Sequence, residues 1–218
     1  MLHVIYKYKP FDAGYEAGWK NVLDAAEKVY PFIEKNFGKY PYPQYSFIHG
    51  GDGGMEYPMA TLIHTSTIGT VFHEWMHSGY QVLMDSYENL YPSTDESYAY
   101  HADQLVKNFY NGSTSLQPLR DSLAKYPDNK NYQAAVMILP ENHSDAYNGY
   151  YRLVRSGLEE PMTTHADHYN TNFAYSVASY SKGTILLEQL GYITGAVVRD
   201  KILLESFNQW KYKHHNAN

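Results

Sequence analysis

Apolar residues recur at Trp19, Val22, Leu23, Ala26, Val29, Ile33 and Phe37, a spacing of three and four that predicts one face of a helix. Gly38 ends that stripe, and Pro31 inside it predicts a kink or a split into two helices. The rhythm then changes. "KYPYP" (39–43) is a turn-rich stop, and "YSFIH" (45–49) alternates aromatic and β-branched residues, which predicts a strand. "GGDGG" (50–54) reads as a flexible bend, "MATLIHT" (59–65) as the next strand, and "MLHVIYKYKP" at the start as an exposed strand. Over 69–84 the pattern is helical again. Residues 87–95 read as a loop around Asn89 and Pro92, and a further helix opens near Thr94 and runs past Leu105. Residues 116–126 and 133–139 are expected to be helical, 142–172 polar, aromatic and irregular, and 179–190 and 196–210 two closing helices. No internal repeat or low-complexity linker interrupts the chain. Strands come early and helices late. That order predicts one α+β domain over 1–218, with a β-containing part at about 1–66, a helical part at about 67–218 and a cleft between them.

Composition narrows the function classes. At 218 residues, with 44% apolar and 18% charged, the chain can bury a real core and is not of disordered type. A net charge of −6 with no basic run argues against nucleic acid as a main partner. The longest apolar run, 134–139, is far too short to span a membrane, and no signal peptide is read at the start. There is no cysteine, so any metal must sit on His, Asp or Glu. The lack of cysteine tolerates a periplasmic or secreted location without requiring one. The 24 tyrosines are read as amphipathic surface and cleft lining.

One stretch carries chemistry. In "HEWMH", His73 and His77 stand four apart, so on a helix both imidazoles point the same way, one turn from each other. That geometry suits two ligands of one tetrahedral zinc, with Glu74 beside them as a base that does not itself bind the metal. The competing reading is a helix with two exposed histidines and a glutamate. A catalytic zinc needs a third protein ligand. Downstream, "PSTDESYAYHADQ" offers Glu96, Asp95 and His101, and spacing alone leaves all three open.

HExxH with a glutamate after eighteen intervening residues resembles the gluzincin aminopeptidases, the aminopeptidase N or M1 peptidase family. "GGMEYP" (53–58) is similar to that family's G-x-M-E-N exopeptidase motif, and "ASYSKG" (178–183) to its Y-x-K-G segment. "GKYPYPQYSFIHGGDGGMEYP" and "HADHYNTNFAYS" look like bacterial members. The resemblance covers nearly the whole chain, as the catalytic domain only; the family's flanking domains are absent from it. It implies a thermolysin-like zincin fold and one zinc ion per chain, held by His73, His77 and Glu96 with an open position for water. Glu74 would be the general base and Tyr180 the hydrogen-bond donor to the oxyanion. Glu56 would pair with the cationic amino group of a peptide substrate with a free N-terminus. Gly53, Gly54, Met55 and Tyr57 would line its path along a strand edge, and Tyr175 is a weaker candidate for the same cleft.

Two departures from the family pattern stand out. Tyr57 replaces the usual Asn, which bears on side-chain preference. "STDESYA" replaces W-x-x-E-G-F-A, so packing behind Glu96 should differ. Without flanking domains the cleft is expected to be more open and some apolar surface exposed. His165, Asp167 and His168 form another cluster, read as a hydrogen-bonded polar loop rather than a second metal site or a substrate wall. The reading is a zinc aminopeptidase. Its rivals are a zincin endopeptidase and a metal-binding scaffold without turnover.

Overall fold

In the computed structural model, which describes residues 1–7, 9, 12–51, 53–84, 90–112, 125–130 and 143–213, the chain opens with a β-α-β unit. Strand β1 (Leu2–Ile5), helix α1 (Ala13–Phe37) and strand β2 (Tyr45–His49) form it, with β1 and β2 parallel in the register Leu2 to Tyr45. The Asp12 side chain caps α1 by accepting from the Tyr15 N–H at 2.8 Å. The apolar stripe does what its spacing predicts: Trp19, Val22, Ala26, Val29, Ile33 and Phe37 are all buried. The expected kink or split at Pro31 is not seen, and α1 is assigned as one helix through it. Pro31 and Glu27 both face solvent, so the Glu27 carbonyl that loses its partner is left to water. Gly38 then ends the helix with φ 107°, and the Phe207 ring packs where a Cβ would stand.

Strands β3 (Gly54–Tyr57) and β4 (Ala60–Ile63) complete a four-stranded sheet of order β1-β2-β4-β3. β4 runs parallel to β2, and β3 returns antiparallel to β4 at the sheet edge. β3 falls partly in the stretch read as a bend. Three of its four residues are exposed, so it has no buried face to betray it in the sequence.

Helix α2 (Ile68–Met76) passes into a π-helical turn, His77–Gln81, and a last turn, Val82–Met84. Helix α3 (Pro92–Asn111) starts two residues before its expected opening, because Pro92 is preorganised for a first turn. Helix α4 (Ser144–Ser156) overturns the irregular reading of 142–172. Only Ala146 and Leu153 of it are buried, and half-buried Tyr147 and Tyr150 carry much of the remaining apolar face, which reads as polar and aromatic in the sequence. Helix α5 (Asn172–Ser176) leads into a second π-helical turn, Val177–Lys182, and then α6 (Gly183–Thr194) and α7 (Ala196–Trp210). The helices expected over 116–126 and 133–139 lie outside the described residues, apart from Lys125 and Tyr126.

The main core joins α1 to the sheet through Tyr45, Phe47 and Ile63, to α2 through Val71, Phe72, Trp75 and Met76, and to α3 through Ala99, Ala102 and Val106. Each large side chain buried there contributes roughly 1.5–3 kcal/mol. The architecture is thus α-rich with one small sheet, an α+β arrangement. Leu186, Tyr192, Ile193, Val197, Val198 and Ile202 leave an apolar surface exposed on α6 and α7. Among the described residues, no helix is long and apolar enough to cross a membrane.

Candidate metal centre

Val71, Phe72, Trp75 and Met76 pin one side of α2 into the core, and this fixes where the remaining side chains point. His73 and His77, one turn apart, share the neighbouring face. Their rings lie 4.7 Å apart and nearly perpendicular, with the two Nε2 atoms 3.1 Å from each other. Glu96, in the second turn of α3, brings Oε2 to 3.3 Å from His73 Nε2 and 3.2 Å from His77 Nε2. Donors at the corners of a tetrahedron with zinc bonds of 2.0–2.1 Å are separated by about 3.3 Å, so the three atoms form a face of the required size.

The outer nitrogens explain which way the inner ones point. His73 Nδ1 donates to Asp103 Oδ2 at 3.1 Å, and His77 Nδ1 donates to Asp95 Oδ1 at 2.5 Å. An ionised carboxylate only accepts, so each Nδ1 carries a proton, and once a ring is neutral its Nε2 lone pair is the one that faces Glu96 and the other ring. Glu96 Oε2 is buried without a hydrogen bond although both Nε2 atoms are close, because no ring N–H is aimed at it. Three side-chain atoms converging on one point, two of them imidazole nitrogens that can yield a proton to a metal, fit a divalent cation.

Spacing alone had left three third-ligand candidates, and the geometry separates them. Glu96 faces both Nε2 atoms. Asp95, its neighbour on α3, turns to the far side of His77. His101 is 1% exposed and belongs to a different cluster, with His143 and Glu188.

Charge follows from this layout. Burial draws the His73 imidazole down, but the Asp103 and Glu96 carboxylates beside its two nitrogens outweigh that and hold it up at about 9, so a cation entering the triangle would displace a proton. His77 is raised as well, the neighbouring Asp95 and Glu96 carboxylates again overcoming burial. Burial pushes Glu96 up, yet the two imidazoles and Tyr180 hold it at about 2. Glu74, 6% exposed, goes the other way: burial raises it to about 7, against the pull of His73 and His77 and with the help of Glu56 and Glu96.

The π-helical turn of residues 177–182 supplies Tyr180. Its hydroxyl donates to Glu96 Oε1 at 2.5 Å, and its ring stacks 5.9 Å from that of His73. Burial raises the phenol, with the Glu96 charge adding to it, so Tyr180 keeps its proton at every physiological pH. Gly183 explains the end of "YSKG". A Cβ there would overlap Ser97 Oγ, and the close approach it permits lets Ser97 donate to the Ser179 carbonyl and Thr184 Oγ1 donate to the Ser97 carbonyl at 3.1 Å. These bonds tie Tyr180 to the helix that carries Glu96.

The strand residues line the opposite wall. Glu56 on β3 is half-buried, and one of its oxygens lies within 4.8 Å of ligand-type atoms of His77 and Asp95. The Gly54 backbone runs so close to Glu74 that a Cβ would overlap Oε1. At Gly53 an added Cβ meets nothing, and its carbonyl accepts from the His64 N–H at 2.8 Å. Met55 and Tyr57 are each 46% exposed. Tyr175 on α5 is raised by burial and then by the charges of Glu96 and Asp95, which places it beside the same carboxylates. His165, Asp167 and His168 make a local turn in which His165 Nδ1 accepts from the Asp167 N–H at 3.1 Å, a hydrogen-bonded polar loop.

Sequence reading missed Asp103. Its signal is faint but real: Asp103 follows Glu96 by seven residues, two helical turns on the same face of α3. Its Oδ1 is also held by Lys107 Nζ at 3.1 Å and Gln104 Nε2 at 3.0 Å. Asp103→Asn is expected to weaken affinity for a divalent cation at this triangle about 10–100-fold without changing the fold, as read by competition with a fluorescent chelator and by circular dichroism.

No protein-family model and no curated protein matches the chain. Solved structures do. A yeast LTA4 hydrolase superposes with a TM-score of 0.63 at 18% identity, covering 98% of this chain and 32% of that one. An M1 zinc metallopeptidase variant from Deinococcus radiodurans, bound to a Tyr-Ser-Ala substrate, gives 0.58 at 13% identity, covering 97% and 39%. The M1 zinc metallopeptidase from Deinococcus radiodurans without that substitution gives 0.55 at 15%, covering 98% and 42%. The chain therefore spans about a third to two-fifths of the length of these neighbours. At such identities the likeness establishes the fold, that of a domain of M1 zinc metallopeptidases.

Proposed function

We propose that this chain is the catalytic domain of a zinc-dependent aminopeptidase of gluzincin type, on a thermolysin-like zincin fold, hydrolysing the N-terminal bond of peptides. The observation that carries the reading is the triangle of His73 Nε2, His77 Nε2 and Glu96 Oε2, with edges of 3.1–3.3 Å. These residues would hold the metal. A zinc ion bound there supplies Lewis acidity, which acidifies water and polarises the scissile carbonyl.

The chain's own groups do the rest. Glu74, pushed up to about 7, takes a proton from the attacking water and hands it to the departing amine. Tyr180, a phenol that stays protonated, turns its O–H from Glu96 toward the oxygen that gains charge as the carbonyl is attacked. Glu56 offers a carboxylate at the end of the path, where a substrate's ammonium group needs one. β3 is an edge strand, so an extended peptide can lie along it. The carboxylates of Glu56, Glu74, Asp95, Glu96 and Asp103 outnumber the nearby bases, a surplus of negative charge that suits one dication and one ammonium group.

Glu56 also separates this reading from an endopeptidase. An internal peptide bond brings no charge to Glu56 and would leave it unpaired. Glu56→Ala should lower kcat/KM on an aminoacyl amide about 10–100-fold, mostly through KM, and leave cleavage of an N-acetylated peptide unchanged. Equal loss on both substrates would remove the exopeptidase reading.

A further inference from the structure

A second set of metal-ligating side chains is closed inside the protein, away from the cleft. His101 on α3 and His143 at the start of α4 are 1% and 4% exposed, with rings stacked 4.9 Å apart. Glu188 on α6 meets both: its Oε1 is 3.4 Å from His101 Nδ1 and 3.2 Å from His143 Nε2. Among the described residues, no nitrogen of either ring has a hydrogen-bond partner. A neutral imidazole carries one donor and one acceptor, and buried polar atoms are almost always paired. Two adjoining rings with no hydrogen bond at any nitrogen among the described residues, and a carboxylate oxygen beside both, suit a ligand that accepts lone pairs.

We propose that His101, His143 and Glu188 form a second, structural site for a divalent cation of the zinc class. The two separations from Glu188 match the tetrahedral edge of about 3.3 Å that the cleft triangle also shows, and all three ligand atoms lie within 4.8 Å of one another. Two imidazoles with one carboxylate favour zinc over calcium or magnesium, which prefer all-oxygen shells. The carboxylate is itself oriented: Arg199 Nη1 donates to Glu188 Oε1 at 2.8 Å. The charge of Arg199 is shared, because its Nε and Nη2 reach Asp200 Oδ1 at 2.9 and 2.8 Å. The site is independent of the first. His101 stands five residues beyond Glu96 on α3, about 140° around the helix. An ion there would clamp α3, α4 and α6 together behind the cleft, and burial of the imidazoles gives it a structural rather than a catalytic setting.

The test is metal content after stripping with chelator, reloading with Zn2+ and desalting, measured by elemental analysis on the wild type, His73→Ala and Glu188→Gln. About two zinc ions are expected in the wild type and about one in each variant. The melting temperature of His73→Ala should also rise by several degrees with added Zn2+. This arm leaves the buried cluster untouched, so it decides the matter even where Glu188→Gln fails to fold. A His73→Ala protein that holds no zinc and does not respond to it overturns the second site and leaves the cleft reading standing. One ion in the wild type, kept by His73→Ala and lost in Glu188→Gln, upholds the second site and sinks the cleft as a metal centre.

Discussion

Glu74→Gln is expected to lower kcat on an aminoacyl amide about 10²–10⁴-fold while zinc content stays at the wild-type level. Glutamine preserves the volume and the packing against Gly54, where an added Cβ would already overlap Glu74 Oε1. It removes the basic oxygen. His73, His77 and Glu96 keep their mutual distances, so the metal has no reason to leave. The wild-type pH profile follows from the same group. Glu74 acts as a base only when ionised, and burial holds its carboxyl up at about 7. A dication beside it favours the ionised form and draws that value down. Activity should therefore fall on the acid side, with a midpoint at or below 7, and Glu74→Gln should lose that limb. Steady-state kinetics across pH together with elemental analysis would show it. A variant of undiminished kcat would remove Glu74 from the chemistry.

Tyr180→Phe is expected to cost about 10²–10³-fold in kcat with little change in KM. The hydroxyl now donates to Glu96 Oε1 at 2.5 Å, and the lost partner leaves that oxygen facing the cleft and its water. Burial keeps the phenol protonated, so what disappears is a neutral donor, worth most where charge builds up during attack. The turn that holds residue 180 should survive, because Ser97, Thr184 and the close contact at Gly183 fasten it to α3. Zinc affinity should change only several-fold, since both imidazoles and the other Glu96 oxygen are untouched. A parallel loss of metal and rate would assign Tyr180 to holding Glu96 in place rather than to the oxyanion.

The two π-helical turns among the described residues lie at the candidate site, one opening at His77 and one carrying Tyr180. Neither could be read from the sequence. Both stretches look like ordinary helix, because the apolar spacing of 69–84 and 179–190 does not distinguish a π turn from an α turn. The extra residue in such a turn rotates everything after it, and only packing against α3 decides whether it forms. The helix at 144–156 was hidden for a different reason. Its apolar face is built around Ala146 and Leu153 largely from tyrosines, which read along the chain as polar and irregular. The strand at Gly54–Tyr57 borrows its conformation from β4.

What the sequence determined by itself is local. Four-residue spacing on a helix places His73 and His77 side by side wherever that helix packs, and the stripe from Trp19 to Phe37 commits α1 to the core. What only the tertiary structure decided is which distant group meets which side of each ring. Asp95 and Glu96 are adjacent in the chain and chemically alike. A helix separates neighbours by about 100°, so the packing of α3 on α2 sends one carboxylate to the Nδ1 of His77 and the other to the Nε2 pair. The same packing turns His101 away from the cleft and toward His143 and Glu188, contacts between segments that no spacing along the chain encodes.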